Sequence, residues 1–226
     1  MSQRIWPVPW QQVRITGGFW RAWQERVEST ALPGQYEELE RTGRLAALAL
    51  SWKPGDPFRP HIFWDSDIAK WLEAACYALR NFPASRLRPL AERVATLFER
   101  AQQPDGYLNS YLTLVAPGQR WQNLRDNHEL YCAGHFIEAA VAHSQATGDS
   151  RLLLVARRLA DHIGSVFGPE PGKKRGYPGH PEIELALVRL YRETRERRYL
   201  ELAAFFVDER GQQPHYYDLE ARARGE

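Results

Sequence analysis

The chain has 226 residues, 43% of them hydrophobic, enough for one sizeable packed domain. Thirty basic and 28 acidic residues leave a formal charge of +2, with no basic face of the kind nucleic acid requires. No apolar run approaches the roughly 20 residues that span a bilayer. The opening Met1-Ser-Gln-Arg-Ile-Trp-Pro7 lacks the basic-then-apolar pattern of an export signal. Cys76 and Cys132 sit among small apolar residues without CxxC spacing, so they are expected to be inert buried thiols. A reducing, cytoplasmic setting is the expectation.

In chain order, residues 1–60 are expected to form an N-terminal lead-in segment. An internal repeat follows. Leu72-Glu-Ala-Ala75 recurs as Ile137-Glu-Ala-Ala140, and Ser85-Arg-Leu87 recurs at the same shift as Ser150-Arg-Leu152. Ala146-Thr-Gly-Asp-Ser-Arg-Leu-Leu153 then aligns with Glu193-Thr-Arg-Glu-Arg-Arg-Tyr-Leu200. Each unit reads as helix, turn, helix, which predicts hairpins of 66–80 with 86–101, 128–147 with 151–164, and 181–194 with 198–209. Stripes such as Leu152, Val155, Leu159 and Ile163 have the helical period. Between the first two hairpins, 102–127 is expected to be a long aromatic loop or small hairpin, with its Asp105-Gly106 turn and Tyr107, Tyr111 and Trp121.

The first helix of each hairpin is rich in small residues (Ala74, Ala75, Ala78; Ala133, Gly134, Ala139) and suits close packing in an inner row. The second helices carry charge away from their apolar stripe and suit an outer row. The fold class predicted is all-α, with αα-hairpin repeats curving as an α/α solenoid or toroid.

Polar residues mass at the starts of the first helices: Trp64-Asp-Ser-Asp67, Asp126-Asn-His-Glu129 and Tyr177-Pro-Gly-His-Pro-Glu182. Inner helices that run parallel bring these starts to one end. Capping accounts for Asp65 or Ser66 and for Asp126 or Asn127, with Pro181 at the first position of the third helix. It does not account for His128 and His180, which stand at equivalent places in successive repeats. The candidate binding residues are therefore His128, His180, Asp67, Glu129, Trp64 and Tyr177. His135 and His162 read as structural. Neutral donors and aromatics without a Gly-rich phosphate loop suit a sugar, with Asp67 and Glu129 as acid, base or hydroxyl acceptor. The histidine spacing matches no standard metal set, and no metal ligand is assigned.

At these residues the sequence resembles glycoside hydrolase family 127, the non-reducing-end β-L-arabinofuranosidases. The resemblance rests on Ile62-Phe-Trp-Asp-Ser-Asp-Ile-Ala-Lys-Trp-Leu-Glu-Ala-Ala75, Asp105-Gly-Tyr-Leu-Asn109, Arg120-Trp-Gln-Asn-Leu-Arg-Asp126, His128-Glu-Leu-Tyr-Cys-Ala-Gly-His135 and Gly176-Tyr-Pro-Gly-His-Pro-Glu-Ile-Glu184. It implies an (α/α)6 barrel followed by β-sandwich domains, removing terminal arabinofuranose with retention. It also implies sugar contacts by His128 and His180, with Asp67 carried over from the same motif set. The family's cysteine nucleophile, its zinc site and the glutamate acid/base come from a later stretch, and Cys76 and Cys132 do not match them. Three hairpins are half of six, and 210–217 resembles a connector into a fourth. The resulting expectation is an N-terminal part of the catalytic domain, with no catalytic residue of its own and no zinc bound by it. Such a part would be prone to self-associate through an apolar edge. The alternative is a non-catalytic helical-repeat module binding a glycan or a protein. An epimerase or an unsaturated-uronide hydrolase on the same toroid ranks lower, since Arg125 is the sole candidate clamp for an acidic sugar.

Overall fold

The computed structural model describes residues 7–225; the Met1–Trp6 stretch considered for an export signal lies outside them. Among the described residues of the lead-in segment, a 3-10 turn at Trp10–Gln12 precedes three α-helices: α1 (Gly18–Arg26), which continues through the wider turns of Val27–Ala31 into α2 (Leu32–Arg41), and then α3 (Arg44–Leu48). The three hairpins follow as α4 (Trp64–Asn81) with α5 (Leu87–Ala101), α7 (Glu129–Thr147) with α8 (Arg151–Val166), and α9 (Ile183–Thr194) with α10 (Arg197–Glu209). A short α6 (Ser110–Leu114) lies within the 102–127 excursion, and α11 (Tyr216–Arg224) follows the last hairpin. Among the described residues the β pairing is confined to an isolated bridge between Phe167 and Lys174.

The chain is all-helical, with the hairpins forming a partial α/α barrel. α7 packs along α4 on one side and α9 on the other, so the three first helices form the inner row. α5, α8 and α10 back them from outside. The small side chains of the inner helices explain this close approach. Ala75, Ala139 and Ala140 are wholly buried, and α7 buries side chains on almost every side, Leu130, Phe136, Ile137 and Val141 among them. The outer helices bury one stripe each, for example Leu152, Leu159 and Ile163 of α8.

The helix starts differ from the capping expected of them. Asp65 and Ser66 lie inside the first turn of α4, after Phe63 at its cap position. Asp65 is buried and accepts from the Ser110 backbone N–H at 2.6 Å, tying α6 to α4, while the Ser66 hydroxyl donates to the Phe63 carbonyl. Asp126 instead pairs with Arg125, and His128 itself holds the α7 cap position in a left-handed conformation with φ 55°. α9 starts at Ile183, two residues beyond Pro181.

The 102–127 excursion is not a strand hairpin. It holds α6, whose start is capped by the Asn109 side chain accepting from Leu112 N–H at 2.8 Å, and a single 3-10 turn at Pro117–Gln119. Its Tyr107 and Trp121 insert into the core. Among the described residues, no helix is long and apolar enough to cross a membrane.

Candidate functional site

The N-terminal ends of α4, α7 and α9 meet at one end of the inner row, and the side chains that converge there come from all three. The His128 and His180 rings are 6.4 Å apart, centroid to centroid. Tyr131, one turn into α7, lies 4.7 Å from His180 and 5.7 Å from His128. Phe63, at the start of α4, stands edge-on to His128 at 4.6 Å. Lys70 donates to the Tyr131 hydroxyl at 2.6 Å.

Backbone geometry sets His180. The segment Tyr177–Pro181 crosses the loop before α7 so closely that the Gly179 N–H donates to the Leu124 carbonyl at 3.0 Å. A Cβ at Gly179 would come within 2.0 Å of the Arg125 carbonyl oxygen, so only glycine permits the crossing. His128 is set by its own strained backbone. Positive φ is costly for a histidine and is retained where surrounding structure enforces it. Its Nδ1 lies against the Asp126 carbonyl, which only accepts. This contact makes Nδ1 the donor and leaves Nε2 as the ring nitrogen that faces a ligand.

Beside this cluster lies a cleft of about 530 Å³, lined by Arg44, Arg59, His61, Phe63, Trp64 and Asp67, with Lys70 at the border. Asp67 accepts from Arg44 Nε at 2.9 Å, and the same guanidinium lies 5.1 Å from the Trp64 ring centre. A hollow of about 730 Å³ between α8 and α10 offers nothing comparable. Its Arg198 and Arg175 are already paired with Asp161 and Glu209.

Of the six residues singled out in the sequence, His128 and His180 come together, and Trp64 and Asp67 line the adjoining cleft. Glu129 and Tyr177 are turned elsewhere. Glu129 is 3% exposed; its carboxylate accepts from the Tyr107 hydroxyl and the Trp121 N–H, each at 2.7 Å. Burial pushes its pKa up to about 7. Its role is to fasten the excursion to the start of α7. Tyr177 is buried beneath Tyr216 and Tyr217 of α11, with Arg210 over its ring.

Sequence reasoning passed over Phe63, Lys70 and His61. Lys70 was findable, since it falls one turn after Asp67 on the same helix face. His135, read as structural, lies edge-on to Tyr131 at 4.5 Å, immediately behind the cluster.

The sequence profile described as Beta-L-arabinofuranosidase, GH127 catalytic domain, matches residues 12–224. The chain belongs to this glycoside hydrolase family. It is 40% identical to the non-reducing end beta-L-arabinofuranosidase of Bifidobacterium longum subsp. longum, over 93% of this chain and 36% of that protein. Its fold superposes on the GH127 beta-L-arabinofuranosidase of Geobacillus stearothermophilus T6 with a TM-score of 0.90 and 47% identity, covering 95% of this chain and 35% of that one. A second GH127 beta-arabinofuranosidase structure gives a TM-score of 0.85 at 34% identity, covering 92% of this chain and 34% of that one. The chain thus spans about a third of the length of the relatives it matches.

The cysteine-ligated zinc that the family resemblance implies does not fit the two cysteines of this chain. Cys76 and Cys132 are both buried on the inner helices α4 and α7. Burial pushes the Cys76 thiol up to about 12 and the Cys132 thiol further, away from the thiolate form that zinc takes. Cys132 donates to the Ile62 carbonyl at 3.2 Å. Neither belongs to a cluster of potential ligands among the described residues.

Proposed function

We propose that this chain is the sugar-facing portion of a β-L-arabinofuranosidase catalytic domain, in which His128, His180 and Tyr131 receive a terminal β-L-arabinofuranose. The observation that carries this reading is the 6.4 Å approach of two histidines from successive repeats, walled by Phe63 and Tyr131 and bordered by a sugar-sized cleft. A furanose presents hydroxyls and one apolar face. The histidines and the Tyr131 hydroxyl match the hydroxyls, and the Phe63 ring matches the apolar face. Asp67 and Lys70, which both line the cleft, add an acceptor and a donor.

Hydrolysis itself is assigned to residues outside this sequence. Both cysteines are enclosed and held away from the thiolate form, and Glu129 is committed to Tyr107 and Trp121. The isolated chain should therefore leave an aryl β-L-arabinofuranoside intact with or without added zinc. Adding the remaining part of a related catalytic domain should generate turnover, and His128→Ala or His180→Ala should abolish it. Hydrolysis by the isolated chain would refute the assignment of the chemistry. Full turnover by both alanine variants would refute the sugar site.

A further inference from the structure

Behind Tyr131, one helical turn deeper, three potential ligand atoms face one another. His135 and Glu138 are three residues apart on α7, and Glu182 comes from the start of α9. His135 Nδ1 lies 3.3 Å from Glu182 Oε1 and 3.8 Å from Glu138 Oε2, and the three groups offer ligand atoms all within 4.8 Å of one another. His135 Nδ1 and Glu182 Oε1 are buried atoms with no hydrogen-bond partner, and Glu182 as a residue is 9% exposed. Burying a polar atom without a partner is costly, and two such atoms aimed at one point call for an occupant.

We propose that His135, Glu138 and Glu182 bind a divalent first-row cation, of the Zn2+ or Co2+ class, that pins the start of α9 to α7 behind the sugar cluster. One imidazole and two carboxylates are a borderline donor set that suits these ions. Atoms about 2.0–2.2 Å from a tetrahedral ion stand roughly 3.3–3.6 Å apart, close to the two distances from His135 Nδ1. Glu138 keeps one oxygen for the ion because Arg189 takes the other, and Arg189 is itself held by Glu73 and by the Tyr77 hydroxyl.

The approach of Glu182 is built in. A Cβ on Gly134 would meet Glu182 Cγ at 2.7 Å, so glycine is what lets this carboxylate reach α7. The charged and titratable groups nearest the three ligands are Lys70, His180 and Glu73.

A second histidine–carboxylate group, Glu92, His143 and Asp149, lies at the far end of α7. Arg151 pairs with both of its carboxylates and occupies the place a cation would take. The inner site does not depend on the sugar assignment and escaped the sequence because Glu182 lies far from the His-x-x-Glu pair in the chain.

The test is titration of the EDTA-stripped chain with ZnCl2 by calorimetry, alongside the visible spectrum of the Co2+-loaded chain. One equivalent is expected to bind. His135→Gln and Glu182→Gln should each weaken binding by at least about tenfold, while Glu92→Gln should leave it unchanged. The cobalt spectrum should show ligand-field bands without a thiolate charge-transfer band, a readout that needs no variant to fold. Absence of binding, binding that persists in both inner variants, or a thiolate band would overturn the proposal.

Discussion

At the scale of single residues, the site rests on two backbone exceptions. His128 sits at φ 55°, and Gly179 crosses within hydrogen-bonding distance of Leu124. Gly179→Ala is the sharper probe, because its new methyl would overlap a carbonyl that the preceding loop holds in place. It is expected to cost about 1–3 kcal/mol by overpacking and to move His180 away from Tyr131. Urea unfolding with His180 ring NMR would show both effects, and a variant with unchanged stability and unshifted His180 would disprove the crossing. The positions of His128 and His180 were legible because they recur at matching places in two repeats. The roles of Glu129 and Tyr177 were not. Adjacent helix residues point about 100° apart, so Glu129 turns into the core while its neighbour His128 stays at the site. Tyr177 became buried through α11, which the sequence offered only as a connector.

At the scale of elements, the hairpins could be read because their apolar stripes and turn residues agree. The caps misled because an aspartate at a helix start has other uses. Asp65 and Glu129 both reach out of their helices to hold the 102–127 excursion, a tertiary role that no local pattern signals. This fastening carries a pH signature. Glu129 binds its proton more tightly folded, at about 7, than at its ordinary 4.5. Its contribution to stability is therefore fully present below about pH 4.5 and is lost as pH rises through about 7, on the order of 3 kcal/mol. Glu129→Gln should flatten that decline. Melting temperatures of both proteins between pH 5 and 8 would show it, and parallel curves would contradict it. Glu182, raised in the same sense, contributes to both curves alike and drops out of the difference.

At the scale of the whole molecule, large apolar side chains stay exposed in two separate places. In one, Phe19 and Trp20 of α1 are 65% and 67% exposed. In the other, Leu185 and Val188 of α9 and Leu200 and Val207 of α10 line an almost wholly apolar groove of about 440 Å³. Exposed apolar surface of this kind marks a contact site. The isolated chain is expected to self-associate, and Leu185→Glu with Val207→Lys should restore a monomer in light scattering. A wild-type chain that stays monomeric at high concentration, with a high and reversible melting temperature, would count against this.

Two histidines from successive repeats are expected to share one sugar. Ring-nitrogen NMR of the 15N-histidine-labelled chain, titrated with methyl β-L-arabinofuranoside, would show this. The expected result is saturable shifts at His128 and His180, with His143 and His215 unmoved. Shifts absent from both, or confined to one with the other untouched, would contradict it.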